Sequence, residues 1–121
     1  MKTILHITES QAWQQAKLLN SYSHQSLDSE GFIHASQPEQ VVKTANRFFK
    51  NQQNLVILFI DTQKLEPEVN YEFGEINELF PHIYGKLNID AVYQVIDFPP
   101  NQNGDFDLPV EIAKLINHEP K

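Results

Sequence analysis

The 121-residue chain has no cysteine. That excludes a disulfide framework, thiol catalysis and any zinc site with sulfur ligands. Glycine is scarce, with four in all, and neither a Gly-rich dinucleotide loop nor a P-loop is present. The His-Glu-x-x-His and Gly-x-Ser-x-Gly signatures are also missing. Arginine occurs once, as Arg47, and nine basic residues face sixteen acidic ones, for a net charge of −7. The lysines are scattered singly. Binding along a nucleic-acid backbone needs clustered cations to release counterions, so DNA or RNA is not the expected partner. Net charge does not exclude a pocket for one nucleotide. The longest apolar run, Leu55 to Ile60, has the length of a buried strand. It is far short of the roughly 20 residues of a membrane span, and no signal-type apolar stretch precedes it. The expectation is a soluble cytoplasmic protein with no membrane partner.

The length fits a single domain over residues 1–121. Thr3 to Ile7 reads as a strand. Thr8-Glu9-Ser10-Gln11 has the spacing of a capping box, followed by Ala12, Trp13, Ala16 and Leu19 in a helical stripe that ends near Asn20. Ser21 to Glu30 reads as a polar loop anchored by Tyr22 and Leu27. Phe32 to Ala35 is extended. Ser36-Gln37-Pro38-Glu39 has the form of a second capping box before a helix with Val41, Val42, Ala45, Phe48 and Phe49 on its apolar face. Leu55 to Ile60 is apolar throughout, as a strand covered on both faces should be. Val69 to Phe73 reads as a strand, Gly74 to Pro81 as a surface loop, His82 to Leu87 as extended and Ala91 to Phe98 as a strand. Asp107 is placed to cap a last helix with Leu108, Ile112, Leu115 and Ile116 facing inward. Helices at both ends around a run of strands predict an α+β fold with mixed or antiparallel sheets.

The residues able to carry chemistry are histidines in apolar settings: His6 in the first strand, His34 between Ile33 and Ala35, and His82 beside Tyr84. Imidazole serves as a general base, a hydrogen-bond donor to a ribose hydroxyl, or a zinc ligand. A buried histidine satisfied by a backbone carbonyl is the structural alternative for each. His24 and His118 lie in polar stretches and read as exposed. Ser36, at an expected helix N-terminus, is suited both to capping and to holding a phosphate. Glu72 is either a solvent-facing strand residue or a site acid, and Tyr84 is able to stack on a planar ligand. Trp13 belongs to the core and Arg47 to the solvent side of its helix.

Gly31-Phe32-Ile33-His34-Ala35-Ser36, the Thr44-to-Phe49 helix, Leu55 to Asp61 and Phe80-Pro81-His82-Ile83-Tyr84-Gly85 together resemble the family known as domain of unknown function 952. The likeness runs from Leu5-His6-Ile7 to Phe106-Asp107-Leu108-Pro109. That family often has Cys where Ala35 stands and Pro where Lys86 stands, and the first difference speaks against a thiol-based role. The resemblance implies an ADP-ribosyltransferase-like fold with an NAD or ADP-ribose cleft between two small sheets. It implies a ribose contact for His6, a middle role for His34 with Ser36 or Tyr71, and a last role for His82 or Glu72. His34, His82 and Glu72 are thus the candidate catalytic residues, and His6, Ser36, Tyr71 and Tyr84 the candidate ligand contacts, with NAD the cofactor implied. A non-catalytic module binding a ligand or a protein is the alternative function. A His-only zinc site from His6, His34 and His82 is a third reading.

Overall fold

The computed structural model describes residues 2–74 and 76–118. Six strands form two antiparallel three-stranded sheets. The first has the order β1-β3-β6, from Thr3–Glu9, Leu55–Asp61 and Val92–Asp97. The second has the order β2-β5-β4, from Ile33–His34, Leu79–Tyr84 and Glu68–Phe73. Helices α1 (Ser10–Leu19), α2 (Ser26–Ser29), α3 (Val41–Phe48) and α4 (Val110–His118) complete the α+β architecture.

Alternation along β3 explains why this strand is central. Val56, Leu58 and Ile60 enter a core shared with Ile4, Trp13, Tyr22, Ile33 and Ile83. Leu55, Ile57 and Phe59 point the other way, into a core with Leu5, Ile7, Val41, Ala45 and Ile112. The first sheet is therefore the middle layer, with α3 and α4 on one side and α1 and the second sheet on the other. β1 is an edge strand of the first sheet and β2 of the second. The two edges meet at a single bridge, where Leu5 and Ser36 exchange backbone hydrogen bonds of 2.8 and 2.7 Å.

Helix α1 ends as its sequence predicts: Asn20 adopts the left-handed conformation at φ 57° and its amide turns back to the last turn. The helix starts differ. Thr8 remains in β1, with its hydroxyl turned to Tyr22 rather than to an amide, and Glu9 at the N-cap makes no side-chain bond. The Ser36 box also fails to form. The bridge to Leu5 claims the Ser36 backbone, α3 starts only at Val41, and Gln40 Oε1 takes the Gln37 amide instead. Asp107 holds the Asn101 side-chain amide, and Leu108 is exposed rather than inward. The stretch read as a loop to Pro81 contains the first half of β5. Pro81 is tolerated in that central strand because its carbonyl, and hence its missing amide, faces β2 where pairing ends, with Ala35 N–H donating to that carbonyl at 3.1 Å. Gly31 at φ 89° turns the chain from α2 into β2.

Candidate functional site

Strand periodicity puts one set of side chains on the open face of the second sheet. Ile33 and Ile83 point into the core, so His34 on β2, with Phe32 just before that strand, and Phe80, His82 and Tyr84 on β5 point away from it. Glu72, opposite Phe80, shares that face. Tyr71, opposite Pro81, lies on the other side, where its ring sits 4.6 Å from the Lys2 ammonium. Tyr71 is thus not brought to the site, because a one-residue offset on a strand reverses the side chain's direction.

Where the two sheet edges diverge beyond the Leu5–Ser36 bridge, a cavity of about 590 Å³ opens. Its polar wall holds His6, His24, Glu30, His34, Ser36, Thr44 and His82, and its apolar wall Phe48, Phe49, Phe73, Ile76 and Phe80. Among the described residues, no lysine or arginine lines the cavity. Phe73 and Phe48 are 68% and 49% exposed, which makes the mouth aromatic.

The four histidines differ in what their nitrogens do. His6 is buried, with Nδ1 2.5 Å from the His34 carbonyl and Nε2 2.8 Å from the Tyr22 hydroxyl. A carbonyl only accepts, so Nδ1 carries the proton, and in the neutral ring Nε2 accepts from Tyr22. The Tyr22 hydroxyl also shares a 2.9 Å hydrogen bond with Thr8 Oγ1. Burial lowers the His6 pKa to about 4, against the opposing effect of the carbonyl bond, with His24 and His34 adding to the depression. Burial likewise pushes Tyr22 up to about 12. With both nitrogens occupied, His6 ties the first sheet to the second and has no free nitrogen for a ribose contact.

His82 is held the other way. Its Nδ1 is 2.8 Å from Glu72 Oε1, and its ring stacks on Phe32 at 3.9 Å and 11°. The Tyr84 hydroxyl donates to the same carboxylate oxygen. These bonds, Tyr84 first and His82 second, lower the Glu72 pKa, and the bond to Glu72 raises that of Tyr84. A carboxylate on Nδ1 fixes the proton there and leaves Nε2 of the neutral ring as an acceptor. His34 lies edge-on to His82 at 5.7 Å, with Nε2 2.9 Å from Glu30 Oε2. That hydrogen bond is the first cause of the lowered Glu30 pKa. Ser36 reaches Thr44 Oγ1 at 3.4 Å, five residues short of the start of α3. It lines the cavity but caps no helix.

His24, read as exposed, is half-buried on the cavity wall with its ring 5.8 Å from that of His6. Phe32, which stands in the Gly31-to-Ser36 segment, and Glu30, which reads in the sequence as a solvated loop residue, also line the cavity. The Phe32-x-His34 alternation was the available signal. His118 is exposed at the end of α4. Among the described residues no three His, Asp or Glu side chains are grouped to hold a metal ion. The zinc reading from His6, His34 and His82 therefore fails, since His6 has no nitrogen to give. No helix among the described residues is long and apolar enough to cross a membrane.

Three solved structures of the protein CC0527 from Caulobacter crescentus share this architecture. A crystal structure matches with a TM-score of 0.83 and 30% identity, covering 93% of this chain and 99% of that one. The crystal structure of a double mutant gives 0.83 and 29% over the same shares. The solution NMR structure gives 0.80 and 29%, covering 94% and 99%. No curated protein matches the chain. The family model described as protein of unknown function (DUF952) matches residues 7–95, and the chain belongs to that family.

Proposed function

We propose that the cavity binds a ribosyl nucleotide of the NAD or ADP-ribose class and that the domain transfers or hydrolyses its ribosyl group. The observation that carries this reading is His82 on the cavity wall, held from behind by Glu72, with Nε2 of His82 left as an acceptor and Phe32 stacked on its ring. A cavity of about 590 Å³ lies within the range of small-molecule sites. Its aromatic mouth suits a planar base. A cleft where two small antiparallel sheets part is also the arrangement expected of an ADP-ribosyltransferase-like fold, though fold likeness alone does not assign a reaction.

The chemistry follows from the residues. An acceptor hydroxyl or water attacks C1′ of the ribose, and the C1′–N bond breaks with its electron pair leaving on nicotinamide. The acceptor's proton passes to His82 Nε2, and Glu72 stabilises the imidazolium through Nδ1–H. Glu30, a carboxylate lining the cavity, is available to stabilise the oxocarbenium-like ribosyl centre. Thermal shift and calorimetry with NAD, ADP-ribose and nicotinamide test the binding, and nicotinamide release from NAD tests the turnover. A ligand at 100 times its Kd adds about 2.7 kcal/mol to stability. Flat responses to all three overturn the reading. A second reading, a binding module without turnover, is favoured by the lack of lysine and arginine among the described residues of the cavity wall. It predicts a thermal shift without nicotinamide release.

A further inference from the structure

We infer that His24 is the cavity's preset hydrogen-bond donor and holds a ribose oxygen of the ligand through Nε2–H, an assignment that rests on the ribosyl reading above. The Ser26 backbone N–H donates to His24 Nδ1 at 3.1 Å, and the Ser26 hydroxyl lies 2.9 Å from the same atom. A backbone amide only donates, so Nδ1 is the bare nitrogen and the proton of the neutral ring sits on Nε2. Ser26 is itself buried, which holds this pairing in place. No buried side-chain nitrogen or oxygen among the described residues lacks a partner. His24 Nε2, which has no partner among the described residues, is therefore accessible to solvent, and His24 is one of the residues that line the cavity.

Capping the short turn at Ser26 accounts for Nδ1 but leaves Nε2–H unused. The neighbours make the assignment specific. His6 has both nitrogens engaged within the protein and His34 Nε2 is engaged by Glu30. His82 presents an acceptor, because Glu72 holds its Nδ1 proton. His24 thus supplies the fixed donor and His82 the fixed acceptor, the complement of a hydroxyl pair on a sugar. Burial is the main cause of a lowered His24 pKa, His34 adds to it, and Glu30 opposes it, so the ring is neutral at pH 7.

The experiment uses the full chain and separates this inference from the reaction assigned above. Calorimetry with ADP-ribose compares wild type with His24→Asn, whose side-chain oxygen can still take the Ser26 amide but which has no donor where Nε2 stood. The expected result is about tenfold weaker binding, the size of one hydrogen bond, with the melting temperature nearly unchanged. His24→Gln, which restores an amide N–H near the Nε2 position, should recover most of the affinity. Nitrogen-15 NMR of the imidazoles, with adenosine and nicotinamide riboside as probes, should show the Nε2–H tautomer and a shift of that resonance. Adenine and nicotinamide, which lack ribose, should leave it in place. The inference is overturned by wild-type affinity in His24→Asn, by an Nδ1–H tautomer, or by a resonance that no riboside moves or that the free bases move equally. If ribosides move it while neither NAD nor ADP-ribose binds, the function proposed above falls and the role of His24 stands.

Discussion

The two sheets have three strands each and face opposite demands. In the first, all seven residues of β3 are buried, and alternation sends the six from Leu55 to Ile60 into two separate cores. In the second, no residue of β4 is buried, and the outer face carries Glu72, His82 and Tyr84 in place of aliphatic side chains. A sheet covered on both faces cannot offer polar groups to a ligand without large desolvation costs. A sheet anchored by one face can. Stability thus rests mainly on the first sheet, the proposed site lies on the second, and His6 is the joint between them.

The largest effect tests the first half of that division. Leu58 is fully buried at the centre of β3, and Leu58→Ala should cost about 2–5 kcal/mol from lost transfer energy and the cavity left behind. Tyr84→Phe in the second sheet removes a bond to Glu72 from a partly exposed ring and should leave the denaturant midpoint nearly unmoved. Equal losses in urea titrations would break the comparison.

The joint has its own signature in pH. His6 is held at a pKa of about 4 in the folded chain against about 6.5 when unfolded. Between those values the unfolded state binds the extra proton, so stability falls as pH drops from about 6.5 to about 4 and levels off below. The shift corresponds to roughly 3 kcal/mol. His24, also lowered, adds to the same slope. The lowered carboxylates Glu30, Glu72 and Glu78 lose their contribution only below their ordinary value of 4.5, so the window from 4.5 to 6.5 belongs to the histidines. In His6→Leu the midpoint at pH 7 should drop, because the His34 carbonyl and Tyr22 hydroxyl lose their partner. The slope across that window should shrink to what His24 leaves. An unchanged slope would show that His6 does not titrate with unfolding.

A smaller effect isolates one bond of the joint. Tyr22→Phe keeps the buried ring and removes the hydroxyl shared by His6 and Thr8. A loss of about 1 kcal/mol is expected, with the His6 pKa rising, because the bond to Tyr22 favours the neutral ring, yet staying below its ordinary value because burial is its main cause. Histidine NMR titration of the variant measures the second point directly.

The sequence was most legible where one physical force acted alone. The run from Leu55 to Ile60 reads as a doubly covered strand and is one, and the helix expected to end near Asn20 stops there, where Asn tolerates the left-handed region. The capping boxes were misread because a local pattern does not reveal competition: Tyr22 claims Thr8, and the β1 edge claims Ser36. Tyr71 was placed in the site and lies outside it, since facing depends on a register that composition does not carry. His24 was dismissed for its polar neighbours, although its setting is made by His6 and Ser26 from either side. The convergence of His6, His34 and His82 on one cavity depends on the meeting of two sheet edges, a long-range event with no local signal.

The smallest effect sharpens the comparison from the second sheet's side. Glu30 and His34 are four residues apart and paired at 2.9 Å, with side chains 49% and 55% exposed. An exposed pair of this kind is screened by solvent and holds little stability. Glu30→Gln should therefore leave the melting temperature within error at low and high salt. The same change removes a carboxylate from the cavity wall and the partner of His34. If that wall acts on a ribosyl centre, nicotinamide release should fall at least tenfold while the fold is untouched. A protein destabilised by Glu30→Gln would place the open face of the second sheet among the elements that hold the fold, and the separation of the two sheets would not stand.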